Sequence, residues 1–260
     1  MNDSSNQAQA TDQAKPMSLS DKLVGVFSSP SDLYDNVRQT PPTSSNWVIP
    51  TLILVVVGVI MAYLISSNPT LSDQMKRIAS EQMEKGLQKQ LAAGKITQEQ
   101  ANQARDQMSG IGGASTVIFT YVAAVLGPFF GLFLGSLFFW LLGKTVMKVT
   151  SPYMKVVEVV GLTFFIGTVE SVVTTILAIG MNSMFASPSL AVFISDFSVE
   201  NRMHLLAASV NVFTFWTLAV TGIGLARLFQ KDTPKVLVLV FALWVLWTLF
   251  KVFGLTALRG

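Results

Sequence analysis

Residues 205–258 read LLAASVNVFTFWTLAVTGIGLARLFQKDTPKVLVLVFALWVLWTLFKVFGLTAL, two apolar runs joined by the polar turn Gln230-Lys231-Asp232-Thr233-Pro234-Lys235. Each run has roughly the 20 residues that a bilayer-spanning helix needs. Six residues are too few to carry the chain back across a membrane, so the runs predict an antiparallel helical hairpin over 205–228 and 236–257. A multi-pass membrane protein follows from this stretch alone.

Composition agrees but does not decide: 51% of the residues are apolar, a fraction that soluble domains also reach. Clustering decides, because charge is nearly absent from several long windows and concentrated between them. Three further windows read as spans, at about 47–66, 115–142 and 156–180. The fold class is therefore an all-α integral membrane bundle of five transmembrane helices. The net charge of +3 suits cationic loops and needs no nucleic acid as partner. No cysteine is present, which excludes disulfides, thiolate catalysis and Cys-ligated metals. The single histidine, His204, stands beside Arg202 at a predicted membrane edge and has no partners for a metal site.

Residues 1–17 are rich in Asn, Gln and Ser and lack an apolar core, which predicts a disordered cytoplasmic tail ahead of a membrane domain over 18–260. The first span then serves as an uncleaved signal anchor. Two short amphipathic helices follow the tail. Ser20 is placed to cap one carrying Leu23, Val26 and Phe27 on one side. Ser29-Pro30-Ser31-Asp32 starts the other, with Leu33, Tyr34 and Val37 on its apolar face. Two readings stand for this pair: it lies in the membrane interface, or it packs against the end of the bundle.

The first span opens at Trp47 and carries a small-residue seam at Gly58, Ala62 and Ser66. Residues 67–113 are polar, with Met75, Ala79, Met83, Leu87 and Leu91 at helical spacing. Gly94-Lys95 breaks this helix, and Thr97 with Gln100 has the pattern of a capping box that starts another. An extramembrane helical hairpin is expected there, closed by a flexible link at Gly110-Ile111-Gly112-Gly113. It either folds back on itself or the bundle, or presents its Met/Leu stripe to a protein partner. Span two holds Gly127, Gly131 and Gly135 around Pro128, an extended GxxxG pattern that serves helix packing inside the chain or homo-oligomerisation.

Orientation follows from Lys and Arg near the span ends. Lys15, Lys22 and Arg38, then Lys144, Lys148 and Lys155, then Arg227, Lys231 and Lys235 fall on one side, and the link between spans three and four holds only Arg202. The expected topology is N-terminus cytoplasmic and C-terminus outside, in a bacterial cytoplasmic membrane.

Glu170 is the sharpest polar feature, because an ionised carboxylate deep in a bilayer costs a few kcal/mol or more. Three readings are open: a proton or cation site, a neutral acid bonded to Thr or Asn across helices, or an ion pair with Lys251. In span four Asn211, Thr214, Thr217, Thr221 and Gly224 recur at three- and four-residue steps, predicting a polar face turned into the bundle. Glu170, Asn211, Thr214, Thr217 and Lys251 form the candidate intramembrane polar site. No paired carboxylates, HExxH, GxSxG or phosphate loop occurs, so no enzyme, cofactor or metal is expected.

Several stretches together resemble the Yip (Ypt/Rab-interacting protein) membrane family, in its bacterial branch. They are Phe27-Ser28-Ser29-Pro30 through Leu33-Tyr34, Trp47-Val48-Ile49-Pro50, Ala207 to Trp216, and Gly222-Ile223-Gly224-Leu225-Ala226 with the last span. Asn211 departs from the pattern, standing where an acid is expected before Phe213-x-x-Trp216. The resemblance implies five membrane helices with N-in, C-out topology, and small-GTPase binding and vesicle transport among eukaryotic relatives. It implies no catalytic residue. The function expected is a scaffold, adaptor or membrane organiser. The alternative is a small transporter or channel using Glu170 with the polar face of span four.

Overall fold

The computed structural model describes residues 16–254, and for 108–117 the backbone alone. These residues form nine α-helices: α1 (Leu19–Ser28), α2 (Pro30–Gln39), α3 (Ser45–Ser67), α4 (Pro69–Ala92), α5 (Gln98–Thr145), α6 (Tyr153–Met181), α7 (Arg202–Ser209), α8 (Val212–Phe229) and α9 (Thr233–Leu249). A 3-10 turn at Leu190–Phe193 and a π turn at Phe250–Gly254 complete the described chain. Most of the expected tail, residues 1–15, and the last residues of the fifth expected span, 255–257, lie outside the described residues.

Five helical stretches are long and apolar enough to cross a membrane: Ser45–Ser67, Ile118–Thr145, Tyr153–Met181, Val212–Phe229 and Thr233–Gly254. Because consecutive spans alternate in direction, the bundle has two ends. The near end carries α1, α2, the 146–152 link and the α8–α9 turn. The far end carries α4, the first turns of α5, the long 182–211 link and the π turn. Helix α6 is the axis, touching α1, α2, α3, α5 and α8, while α9 packs on α8.

The short helices α1 and α2 pack against the bundle, so the second of their two readings holds. Ser18, not Ser20, caps α1, its hydroxyl accepting from Asp21 N at 3.1 Å. Leu33, Tyr34 and Val37 of α2 are fully buried against α6 and α8. The hairpin runs alongside α6 with its tip directed into the bundle. Tyr34 lies beside Val159, and Phe27 near the tip meets the rings of Phe165 and Trp216 at 5.7 and 5.2 Å.

Two glycines set these approaches. A Cβ on Gly224 would lie 2.6 Å from Val159 Cγ1 and 2.9 Å from the Tyr34 ring, and one on Gly161 would lie 2.7 Å from Trp47 Cα. Only a bare backbone lets α8 and α3 sit this close to their neighbours.

At the far end α4 and α5 form the expected hairpin. Gly94 takes φ +64° at its turn, and Thr97 with Gln100 forms the reciprocal capping box that starts α5. Leu71, Leu87 and Ala101 are buried, and the Arg105 guanidinium grips Glu84 through two bonds of 2.8 and 2.7 Å. The hairpin is strapped to the 182–211 link as well. Gln74 donates to Asn182 O and accepts from Met184 N, and Lys85 pairs with Glu200. The hairpin therefore folds on itself and on the bundle.

Two expectations fail. The backbone at 110–113 is helical and not a flexible link, so α5 is one helix of 48 residues. Glycine costs a helix only about 1 kcal/mol each, and the helix on both flanks carries the segment through. The fourth span does not begin at Leu205. Residues 202–209 form the separate helix α7, and the chain breaks at Val210-Asn211 before α8. The apolar run is continuous across this break, so hydropathy alone could not locate it.

The glycine contacts predict a sharp contrast between two substitutions. Gly224→Val forces Val159 and Tyr34 apart and lowers stability by about 1–3 kcal/mol, the usual cost of overpacking. Gly127→Val, where a Cβ meets nothing within 4 Å, leaves the monomer's thermal unfolding in detergent unchanged.

Candidate functional site

The break before α8 builds the polar site. At this point α7 has ended and α8 has not begun, so backbone groups need partners outside a helix. The neighbouring link supplies them: Leu190 N donates to Val210 O and Val212 N to Pro188 O, both at 3.1 Å. The Asn211 side chain supplies the rest. Its carbonyl accepts from Phe213 N at 2.8 Å and Thr214 N at 3.4 Å, capping α8. Its amide, thus oriented, donates to Glu170 Oε1 at 2.8 Å.

Glu170 is half-buried and lines a groove of about 500 Å³ between α3, α5 and α6. Gly58, Met61, Ala62 and Ile65 form one wall, Thr120 and Ala124 another, and Gly167, Ser171, Thr174 and Thr175 the third. On the side of α6 turned to α1 and α8, Phe27, Phe165 and Trp216 form an aromatic cluster, and Ile166 is fully buried.

Of the five expected site residues, the structure joins Glu170 to Asn211 and brings in Thr214 through its backbone N–H. No hydrogen bond or ion pair among the described residues links Glu170 to Lys251 or to the Thr217 hydroxyl. Lys251 is exposed in the π turn, and Asn211 takes the place that the ion-pair reading gave it. Asn211 is also not inside a span-four helix; it is that helix's N-cap. Gly127, Gly131 and Gly135 of α5 face away from the bundle. A Cβ on Gly127, Gly131 or Gly135 would meet nothing within 4 Å, while Leu132 and Ser136, one residue round the helix, are fully buried.

A second polar cluster, at the near end, was not anticipated. Glu158 is 1% exposed and accepts from Thr43 N at 3.2 Å, from the Asn46 amide, and from Lys155 Nζ at 3.1 Å. Lys155 also donates to Val37 O at 2.6 Å, and Lys22 Nζ to Asn46 Oδ1 at 3.0 Å. Burial pushes the Lys22 ammonium below its ordinary pKa, with Glu158 acting against that shift. The Tyr34 hydroxyl donates to Val159 O at 3.3 Å, and burial raises its pKa. The only local sign in the sequence is Lys155 and Glu158 three residues apart at the start of an apolar run. Their partners lie more than 100 positions away.

Such a chain, five membrane helices on one central helix with an N-terminal helical hairpin wedged beside it, can be set against known proteins. The family model described as the Yip1 domain matches residues 24–255. The chain belongs to the Yip1 domain family. No curated protein and no solved structure matches it significantly. The match takes in the Glu170 site, the Glu158 cluster apart from Lys22, the α4–α5 hairpin and the outward glycines of this Yip1 domain, and the protein is an integral membrane protein.

The buried cluster yields a test. Lys155→Met leaves the Glu158 carboxylate buried without its cation, and a loss of about 3–5 kcal/mol is expected. The double substitution Lys155→Met with Glu158→Met recovers most of it. Thermal unfolding in detergent measures both, and protease cutting within α1–α2 should rise only in the single variant.

Proposed function

We propose that this Yip1-domain protein is a non-enzymatic scaffold or adaptor that organises neighbours within the membrane. One observation carries the reading. The glycines that bring helices together inside the chain, such as Gly161 and Gly224, meet neighbours within 3 Å of an added Cβ, whereas Gly127, Gly131 and Gly135 meet open space. A three-turn row of bare backbone on the outer side of α5, flanked by exposed Phe130 and Leu134, suits close approach by another membrane helix. The aromatic cluster of Phe27, Phe165 and Trp216 between α6, α1 and α8 weighs against a route through that part of the bundle and so against the transporter alternative.

The absence of native cysteine makes the test clean. With a single cysteine at Gly131, oxidation or bifunctional thiol reagents in native membranes should trap a cross-linked species. Cysteine at Leu132, on the inner face, should not. Equal yields at both positions would overturn the reading.

We further propose the N-in, C-out orientation in a bacterial cytoplasmic membrane. It is supported by Lys144, Lys148, Arg227, Lys231 and Lys235 gathering with Lys22 and Arg38 at the near end. Reporter fusions after Gly112 and after Asp232 should then report opposite sides, outside and cytoplasmic respectively.

A further inference from the structure

We propose that the groove between the far halves of α3, α5 and α6 is a docking site for one transmembrane helix of a partner protein that carries a basic side chain at the depth of Glu170. The proposal rests on the adaptor reading and gives it a partner chemistry.

Three observations converge. The groove holds about 500 Å³ of open space between three membrane helices. On its α6 wall Gly167 and Ser171 stand four residues apart and a Cβ on Gly167 meets nothing within 4 Å, so a fourth helix can approach that backbone closely. Its one carboxylate, Glu170, has most of its acceptor capacity unused. Among the described residues the Asn211 amide is its one hydrogen-bond donor, and no cation reaches it. A carboxylate has about four acceptor positions. Asn211 cannot turn to offer more, because its carbonyl is committed to the α8 cap.

Depth selects the occupant. At 1.5 Å per residue Glu170 lies roughly 26 Å from the Tyr153 end of α6 and roughly 16 Å from its Met181 end. A headgroup layer is only about 5–8 Å thick, so a lipid ammonium would have to leave it to reach the carboxylate. A lysine or arginine on a partner helix is delivered at that depth by its own backbone. The pair then neutralises two charges that are each costly in hydrocarbon. Helix packing and charge complementarity thus point to the same guest.

The experiment uses the full chain reconstituted in phosphatidylcholine liposomes with two labelled single-span peptides. Both are Leu/Ala helices, one with a central lysine and one with leucine at that position, and energy transfer to the labelled chain reports binding. The lysine peptide should bind at least fivefold more tightly. Glu170→Gln, which keeps an acceptor for Asn211, should abolish the preference. Gly167→Phe should weaken the lysine peptide without lowering the chain's thermal stability, since a Cβ there meets nothing.

Equal binding of the two peptides would overturn the proposal, as would a preference that survives Glu170→Gln. Competition of the lysine peptide by phosphatidylethanolamine would overturn it in favour of a lipid. Chain–chain energy transfer lost in Glu170→Gln would overturn it in favour of a second copy. If the peptides fail to discriminate while the Gly131 cross-link forms, the groove assignment falls and the adaptor reading stands. Failure of both removes the adaptor reading itself.

Discussion

A buried carboxylate loses several kcal/mol of hydration unless protein donors replace its water, and the three donors for Glu158 come from two separate parts of the chain. Thr43 N and the Asn46 amide belong to the α2–α3 junction, and Lys155 belongs to α6 itself. Lys155 in turn ties down Val37 O of α2, and Asn46 ties down Lys22 of α1. One desolvated charge therefore fixes α1, α2 and α3 against the central helix together. Apolar packing of Tyr34, Leu33 and Val37 supplies the driving force for docking the hairpin. The polar cluster supplies its register, because a shift of one residue would strand the carboxylate.

The same accounting operates at Asn211, with a different outcome. A helix interrupted in a membrane must satisfy its freed backbone groups locally, and the 188–190 strand-like segment does so for Val210 and Val212. Asn211 then caps α8 with its carbonyl and has an amide left over, which Glu170 accepts. A carboxamide can do both at once because it carries a donor and an acceptor, whereas a carboxylate at 211 would cap α8 but repel Glu170. Asn211 is the position at which the sequence departs from the expected family pattern. In this chain the amide there and the acid on α6 make sense only as a pair.

What could be read in the sequence was what depends on near neighbours. Hydropathy located the membrane helices, and Thr97 with Gln100 located the start of α5 to the residue, since a capping box is closed within one turn. Leu33, Tyr34 and Val37 were legible as a buried face because helical spacing alone puts them together. The break at Val210-Asn211 was not, since Ala207, Ala208 and Val210 continue the apolar run and its cause lies in Pro188 and Leu190. Glu170 was visible as an anomaly, but its partner was ambiguous between a Thr or Asn of another helix and Lys251. Depth along a helix cannot separate two candidates when the pairing of helices is unknown. The Glu158 cluster was invisible for the same reason at greater range.

The two polar clusters divide the molecule into unlike halves. At the near end the packing around α6 is close: the α1–α2 hairpin occupies the space beside it, Gly161 and Gly224 let neighbours approach, and Glu158 has three donors. At the far end α3, α5 and α6 stand apart around Glu170, which has one donor. Close packing at one end and spare acceptor capacity at the other are what a rigid platform with an open socket requires. The polarity also explains why α5 is so little covered by the rest of the chain. Its inner face meets the bundle through Leu132, Ser136 and Gly143 in the near half, with Gly143 seated on the ring of Phe229, and through Ala124 beside Gly58 and Tyr121 beside Ser66 further up. Its outer side, with Gly127, Gly131 and Gly135, is what remains open to surfaces outside its own fold.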